Sequence, residues 1–212
     1  MEERNNGALM VEVNENPAKG ESRSGIETGP ETYEVTIRGM ADILFHRYDC
    51  AAVDAKGKAK KNSKEKKTDN LGSYVYRCDD GTLGVPGSAL HAALTNAAKS
   101  KADPRSPRKS ACDLIKAVLL VTPTIASFGK NVKTWEYEDT RRVLVQRQAI
   151  ARTRPALRAG WTVTFSVTVL DPSYVDRIFL HDVIQSAGAY VGLCDYRPQY
   201  GRFQIVQFER TL

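Results

Sequence analysis

Residues Trp161–Leu170 read WTVTFSVTVL and decide the fold of this chain. Large apolar side chains alternate with threonine and serine along the whole stretch, which is the period of a β-strand with one buried face. The stretch therefore predicts a strand whose second face carries hydroxyl groups.

Outward from this strand, the same alternation and a set of turn residues predict the other strands. Tyr33–Phe45 alternates over a longer stretch and predicts a half-buried strand with a bulge at Gly39. The turn Asp79-Asp80-Gly81 predicts a short hairpin between Ser73–Arg77 and Thr82–Val85. Further strands are expected at Ala117–Val121 and Phe203–Phe208.

Helical spacing of apolar residues predicts the helices. Pro86-Gly87-Ser88 opens the first helix, and Ser106-Pro107 is expected to open a short second one, with Arg108 and Lys109 in its first turn. A bound phosphate or solvent screening would offset the repulsion between these cations and the helix dipole. Asp171-Pro172-Ser173, with Asp176 completing a capping box, is expected to open a helix that ends at Gly188. The core stripe expected for this helix is Val175, Ile178, Phe179, Val183, Ile184 and Ala187.

The order of the large elements is strand, helix, strand, strand, helix, strand. This order predicts an α+β fold with a ferredoxin-like or RRM-like βαββαβ core, an antiparallel sheet and helices on one face. Residues 1–32 are expected to be a disordered acidic tail. Residues 33–212 are expected to form one domain with two insertions, a lysine-rich loop at 51–72 and an arginine-rich hairpin within 126–160. Trp135–Glu138 and Arg141–Ala151 are the expected arms of that hairpin.

Composition excludes several classes of protein. With 212 residues, of which 42% are hydrophobic, the chain is neither wholly disordered nor collagen-like. It has no apolar run of the roughly 18 residues that a membrane span needs, and its polar start does not resemble a secretory signal. We therefore expect a cytoplasmic protein. Its four cysteines, which do not follow zinc-ligand spacing, are expected to be reduced.

Charge is distributed unevenly along the chain. The formal net charge is +6, but residues 1–34 carry −5 and residues 35–212 carry +11. Clustered basic charge predicts a polyanionic partner, while plain solubility is the simpler explanation. The two clusters are the lysines of the loop (Lys56, Lys58, Lys60, Lys61, Lys64, Lys66 and Lys67) and the arginines of the hairpin (Arg141, Arg142, Arg147, Arg152, Arg154 and Arg158).

Aromatic residues and glycines accompany the arginines. Trp135 lies just upstream of them, where it serves either as a stacking face or as core. The segment Gly192–Gly201 combines turn-forming glycines with further cations and tyrosines, and exposed amides in such a loop bind phosphates. Arginines on phosphates and aromatic rings on bases are typical of single-strand binding. Six phosphate contacts would give a slope of about −4 for log K against log salt. The additional candidate residues are Ser88, Arg108, Lys109, Gly192, Arg197, Tyr200, Gly201 and Arg202.

Catalytic signatures are sparse. The sequence has no P-loop, no dinucleotide-binding glycine motif, no zinc-protease motif and no nucleophile elbow. We expect no metal and no cofactor. His46 and His91 are the candidates for a general base acting on a ribose hydroxyl, although each is explained as simply by a structural role.

Two motifs and the element order resemble the RAMP superfamily of CRISPR-associated proteins. Gly84–Leu94 reads GVPGSALHAAL and is similar to the family's helix opening, and Gly192–Gly201 is similar to its glycine-rich loop before the last strand. The sequence as a whole also resembles RAMP-like proteins of prophages. The resemblance implies binding of single-stranded nucleic acid, usually guide RNA, and head-to-tail polymerisation with a thumb-like hairpin between bases. The sequence departs from the family pattern at His91, where the family often has a basic residue, and in its glycine loop, which has fewer glycines.

These observations predict a non-catalytic single-strand binder that oligomerises as the backbone subunit of a CRISPR-like antiviral or phage ribonucleoprotein. The ligand is single-stranded RNA or single-stranded DNA, and the partners are copies of the chain and other ribonucleoprotein subunits, with no membrane. The alternatives are a metal-independent RAMP endoribonuclease using His46 or His91, and a phage structural or inhibitory protein.

Overall fold

The structure, a computed structural model, describes residues 29–50, 54, 58, 70–145 and 148–211. Within these residues the fold is α+β, with antiparallel strand pairings and three α-helices. The strands are β1 Glu31–Gly39, β2 Ile43–Leu44, β3 Tyr76–Arg77, β4 Leu83–Pro86, β5 Ala102–Asp103, β6 Ser106–Ser110, β7 Leu119–Thr122, β8 Ile125–Ser127, β9 Tyr137–Val145, β10 Gln148–Leu157, β11 Thr162–Val169 and β12 Phe203–Thr211. The helices are α1 Gly87–Ala97, α2 Cys112–Val118 and α3 Arg177–Ser186.

The largest sheet has the strand order β12-β1-β11-β7. β1 lies inside the sheet, where Val35 faces Phe165 of β11 on one side and Phe208 of β12 on the other. The alternation predicted for β11 is confirmed, because Val163, Phe165, Val167 and Val169 are all at most 2% exposed. Its buried face belongs to the same hydrophobic core as the inward residues of α1 and α3.

The second face of this sheet is polar and bears hydroxyl groups. Thr32 and Thr168 are hydrogen-bonded across the strands at 2.9 Å, and Thr36 and Thr164 form the same contact at 2.9 Å. These pairs stabilise the strand register on the solvent side. Opposite them on the core face, burial and a 2.5 Å hydrogen bond to Glu31 raise the pKa of Tyr33 to about 12.

The strand predicted over Tyr33–Phe45 is two strands in two sheets. β1 ends at Gly39, where a Cβ atom would lie 2.1 Å from the Trp161 ring, so the indole requires a glycine at this position. The chain then turns and β2 pairs with β10. The predicted bulge at Gly39 was misplaced, because the pairing of β1 with β12 shifts register between Thr36 and Ile37.

Two helix starts were predicted wrongly from local capping signals. Ser106–Ser110 is the strand β6, which pairs with β5, and α2 begins only at Cys112. Arg108 and Lys109 are therefore exposed strand residues with no helix dipole against them. Similarly, Asp171 accepts hydrogen bonds from Ser173 in a turn, and Asp176 is the cap of α3, accepting from the Phe179 amide at 2.8 Å.

The end of α3 and its buried stripe also differ from expectation. The helix does not end at Gly188. After Ser186 it continues as a π-helical turn, Ala187–Val191, and it ends at Gly192, whose φ is +75°. Ile178, expected in the core, is 80% exposed, while Leu180 is fully buried. The predicted α1 and the hairpin β3–β4 are confirmed.

The arginine-rich hairpin is longer than predicted. β9 and β10 pair over nine positions, from Tyr137 opposite Ala156 to Val145 opposite Gln148, so Asp139 and Thr140, expected between the two arms, lie inside β9. Arg141 and Arg152 face each other across the ribbon. We refer to β9 and β10 together as the arginine hairpin.

Other predictions lie partly or wholly outside the described residues. They are the acidic tail up to residue 28, most of the lysine-rich loop and Arg147. Glu31 and Thr32, assigned to the tail, belong to β1. Cys50, Cys78, Cys112 and Cys194 are all free thiols. In the described part of the chain, no helix is long and apolar enough to cross a membrane.

Candidate nucleic-acid groove

The start of α1 forms one wall of a surface cavity. Pro86 is the cap residue, and Gly87 packs so closely that a Cβ atom would lie 2.8 Å from the Pro123 carbonyl oxygen. The cavity in front of this helix end has a volume of about 590 Å³. Its lining residues are Arg47, Gly72, Val75, Tyr76, Arg77, Pro86, Gly87, Ser88, Val121, Thr124 and Ile125.

The loop Gly192–Gly201, which we call the glycine loop, is a compact and strongly bent segment. Its ends are joined by a hydrogen bond from the Leu193 amide to the Gly201 carbonyl at 2.9 Å. The Gly201 amide donates to the backbone carbonyl of Asp42 at 2.8 Å. Cys194 and Tyr196 both adopt left-handed backbone conformations, which non-glycine residues rarely do. Burial raises the pKa of the Cys194 thiol to about 12, so this cysteine is not an activated nucleophile.

The glycine loop extends the cavity at α1 into a row of three cavities. A cavity of about 210 Å³ shares Tyr76 and Pro86 with the first, and it is also lined by His46 and Arg197. A third, of about 510 Å³, shares Cys194, Asp195 and Arg197 with the second and adds Tyr190 and Tyr196. We call this row of cavities the groove.

Positive charge and aromatic rings line the groove. Arg47 is exposed and its guanidinium carbon lies 5.8 Å from the centre of the Tyr76 ring, a cation–π contact. Arg197 is exposed, and Tyr190 is 76% exposed. Arginine guanidinium groups bind phosphate oxygens, and exposed rings stack on bases, so this surface has the chemistry of a single-strand site.

Two hairpin arginines, by contrast, make contacts inside the protein. Arg154 is 7% exposed, forms an ion pair with Asp195 and lies 4.6 Å from the Tyr196 ring centre. Its Nη1 is buried without a hydrogen-bond partner among the described residues. Arg141 donates to both carboxylate oxygens of Asp139 and lies 4.6 Å from the Tyr200 ring centre.

These contacts fix the arginine hairpin to the glycine loop. The carboxylate of Asp139 raises the pKa of the Arg141 guanidinium above its ordinary value, and the hydrogen bond to Tyr200 acts in the same direction. The Tyr137 hydroxyl donates to Asp42 at 2.6 Å and fastens the base of the hairpin to the turn after β1. Asp195 also pairs with Leu44 in an isolated β-bridge. The hairpin base is therefore fixed both to the glycine loop and to the turn after β1.

The remaining hairpin arginines lie in different environments. Arg142 is exposed, and Arg152 is half-buried opposite Arg141. Arg158 is exposed, lies 5.2 Å from the centre of the Tyr137 ring and contacts Glu136 at 3.9 Å. A basic run along the sequence is thus not a single basic surface.

The other predicted site residues are dispersed. Ser88 lines the groove and is exposed, whereas Trp135 packs partly buried against the core. Arg202 donates to the Pro198 carbonyl at 2.8 Å and so supports the glycine loop. Arg108, Lys109 and Lys58 are exposed and are not among the groove-lining residues. The six other lysines of the loop lie outside the described residues.

The two candidate histidines are separated by the structure. His46 lines the groove, with Nδ1 3.9 Å from the Asp195 carboxylate and its ring 4.9 Å from that of Tyr74. His91 is half-buried on α1, and its carbonyl accepts a hydrogen bond from Thr95. Only His46 of the two is a groove-lining residue in the described structure.

Sequence reasoning missed Arg47, Tyr76, Arg77 and Tyr190 as groove residues. Arg47 and Tyr76 belong to short segments without a strong periodic pattern, and their proximity depends on the turn between β1 and β2 and on the β3–β4 hairpin. One signal was present: both motifs that resemble the RAMP family, the α1 opening and the glycine loop, line the groove. Comparison of this sequence with protein-family models gave no match, and neither did a search of curated proteins.

Proposed function

We propose that this protein binds single-stranded nucleic acid, RNA in the first instance, along the groove, and that copies of the chain assemble head-to-tail on the strand without catalysing a reaction. The main observation that supports the proposal is that the α1 opening and the glycine loop, distant in sequence, line one row of cavities together with Arg47 and Arg197. The exposed guanidinium groups of Arg47 and Arg197 would meet phosphates, and the exposed ring of Tyr190 would stack on a base.

The proposal includes a ferredoxin-like core. In chain order β1, α1 and β7 form one strand–helix–strand unit, and β11, α3 and β12 form a second. In the sheet, β11 separates the strands of the first unit and β1 separates those of the second. This interleaving is what a split βαβ fold requires.

The wider assignment is a backbone subunit of a CRISPR-like or phage ribonucleoprotein. It rests on the resemblance of the two groove motifs to the RAMP superfamily. In an RRM-like binder the bases stack on the open sheet face. Here that face presents threonines, such as Thr36 and Thr164, and we therefore assign the ligand to the groove at the sheet's edge.

Binding of a fluorescent single-stranded RNA to protein freed of nucleic acid tests the proposal. The Arg197→Ala variant should bind about tenfold more weakly, the effect of losing one charge-assisted contact of roughly 1.4 kcal/mol. Lys116→Ala, an exposed cation on α2 away from the groove, is the matched control and should bind like the wild type. Absence of salt-sensitive binding by the wild type would refute the proposal. Sequencing the copurifying nucleic acid would separate RNA from DNA and a guide complex from a coating protein.

A metal-independent endoribonuclease is the second candidate, because His46 lines the groove beside Asp195. A carboxylate at this place would orient the imidazole as a general base toward a ribose hydroxyl. Cleavage of hairpin RNA in EDTA that is lost in His46→Ala would establish this activity. Cleavage at the wild-type rate by that variant would eliminate His46 as the base.

A further inference from the structure

The cavity in front of α1 is lined by positive charge without a carboxylate. Arg47 and Arg77 are both exposed at its wall, and no aspartate or glutamate is among its lining residues in the described structure. Arg47 contacts the ring of Tyr76, and Arg77 donates to the backbone carbonyls of Gly81 and Lys133 at 2.9 and 2.8 Å. None of these contacts brings a negative charge to the cavity. The cavity therefore attracts an acidic occupant.

Part of the same cavity wall is apolar. Val75, Pro86, Val121 and Ile125 line it, and the last three are only half-buried. A peptide segment that combines carboxylates with aliphatic side chains would match both parts of the wall, because the carboxylates pair with the guanidinium groups and the aliphatic groups cover the apolar side chains. A nucleic-acid strand supplies the negative charge but no aliphatic side chains.

Residues 8–15 of this chain read ALMVEVNE and have the matching composition. Five of the eight residues are apolar, Glu12 and Glu15 are acidic, and residues 5–18 contain no lysine or arginine. The segment belongs to residues 1–28, which lie outside the described residues and hold six acids against three bases, a net charge of −3. The chain thus contains an acidic and apolar segment of its own that complements the cavity.

Strand register places the first described residue close to the cavity. Tyr33 of β1 lies opposite Val167 of β11, which lies opposite Val121 of β7 at the cavity wall. Neighbouring strands are about 4.8 Å apart and Gly29 is about 13 Å along the chain from Tyr33, so Gly29 lies roughly 16 Å from Val121. The residues from 16 to 29 span up to about 46 Å when extended, so the segment that ends at Glu15 can reach the cavity of its own chain.

We propose that residues 8–15 occupy the cavity in front of α1 when no nucleic acid is bound, and that RNA displaces them. The displacement rests on the proposed function, whereas the occupancy does not. A segment on the same chain is present at an effective concentration of the order of 1 mM, so a contact with a Kd of about 0.1 mM weakens the apparent RNA affinity about tenfold. Short polyanions are thereby excluded, and a strand that also engages the rest of the groove displaces the segment.

A photo-reactive benzoylphenylalanine in place of Val13 of the full chain tests the occupancy without RNA. After irradiation, the crosslinks should map to the cavity-lining segments 72–77, 86–88 and 121–125 of the same molecule. Adding Glu12→Gln/Glu15→Gln should lower the yield of these crosslinks at least fivefold. Glu2→Gln/Glu3→Gln, the matched control, removes the same charge outside the segment and should leave the yield unchanged. Crosslinks to the lysine-rich loop at 51–69, crosslinks between two molecules, or equal yields in the two double variants would overturn the inference.

RNA affinity of the same full-length variants tests the displacement. Glu12→Gln/Glu15→Gln, without the photo-reactive residue, should bind a fluorescent single-stranded RNA several-fold to tenfold more tightly than the wild type, and Glu2→Gln/Glu3→Gln should bind like the wild type. Equal RNA affinity of the wild type and Glu12→Gln/Glu15→Gln would overturn the displacement while leaving the proposed function intact. Absence of RNA binding by all of these proteins would refute the proposed function, and the crosslinks would still decide the occupancy.

Discussion

Gly192 and Gly201 close the glycine loop against each other. Gly192 has a φ of +75° and Gly201 a φ of +70°, and a Cβ atom on Gly201 would lie 2.0 Å from the Leu193 carbonyl oxygen. Their spacing in the sequence indicated amides that approach a phosphate. In the structure both positions require glycine for packing within the protein, because neither has room for a side chain.

Gly201→Ala should therefore destabilise the protein by at least about 2 kcal/mol in urea unfolding, since it combines a positive φ with a backbone clash. Gly81→Ala is the matched control: its φ is +80°, but open space surrounds the position. It should cost only about 1 kcal/mol, the conformational part alone. Equal losses in the two variants would show that the close approach to Leu193 does not contribute.

Individual charges show why the candidate site was only partly predictable. The run Arg141–Arg158 contains no acid, and this absence favoured a free basic surface. The neutralising carboxylates lie just outside it, at Asp139 two residues before Arg141, and far from it, at Asp195. A linear count of charge does not include a partner 41 residues away. Conversely, Arg47 and Arg197 are far apart in the sequence, and only folding places them along neighbouring cavities of the groove.

Among the elements, predictions succeeded where burial and pattern agreed. β11 and α1 were found because a buried face imposes its period on the sequence over eight or more residues. The failures at Ser106 and Asp171 concern capping signals of three or four residues. In β6 the pairing with β5 overrides the local preference of Ser-Pro for a helix start.

The attachment of the arginine hairpin to the glycine loop depends on the pair Arg154–Asp195. Asp195→Ala leaves a 7% exposed guanidinium without its carboxylate, and unpairing a buried ion typically costs about 3 kcal/mol or more. Urea unfolding should show a loss of that size. The double variant Arg154→Met/Asp195→Ala should recover at least about 1 kcal/mol of it, because the unpaired charge is gone.

His46→Ala is the control for this pair, since His46 also approaches Asp195 but is exposed, and it should change the stability little. A double variant no more stable than Asp195→Ala would mean that the salt bridge is not what holds the hairpin base. In that case the contacts of Tyr137 with Asp42 and of Arg141 with Tyr200 would carry the attachment.

At the scale of the whole molecule, the described arginines divide between the groove, lined by Arg47 and Arg197, and internal contacts, made by Arg141 and Arg154. The sequence placed the ligand between the lysine loop, the arginine hairpin and the glycine loop. In the described residues the glycine loop contacts the arginine hairpin through Arg141 and Arg154, and it also lines the groove together with the α1 opening. Which segments lie beside the glycine loop depends on which strands pair across the sheets. Local periodicity predicts strands but does not encode their order.

The salt dependence of binding distinguishes the two locations. If the groove holds the strand, replacing Arg47 and Arg197 together by alanine should flatten the slope of log K against log salt by about 1.4, because each phosphate that a cation neutralises on a single strand accounts for roughly 0.7 of that slope. Arg142→Ala, which removes an exposed cation from the outer face of the hairpin, should leave the slope of dilute protein unchanged. The measurement is fluorescence anisotropy of one RNA oligonucleotide at several salt concentrations. A slope that responds to Arg142→Ala and not to the groove pair would place the strand along the hairpin, and the groove would lose its assignment.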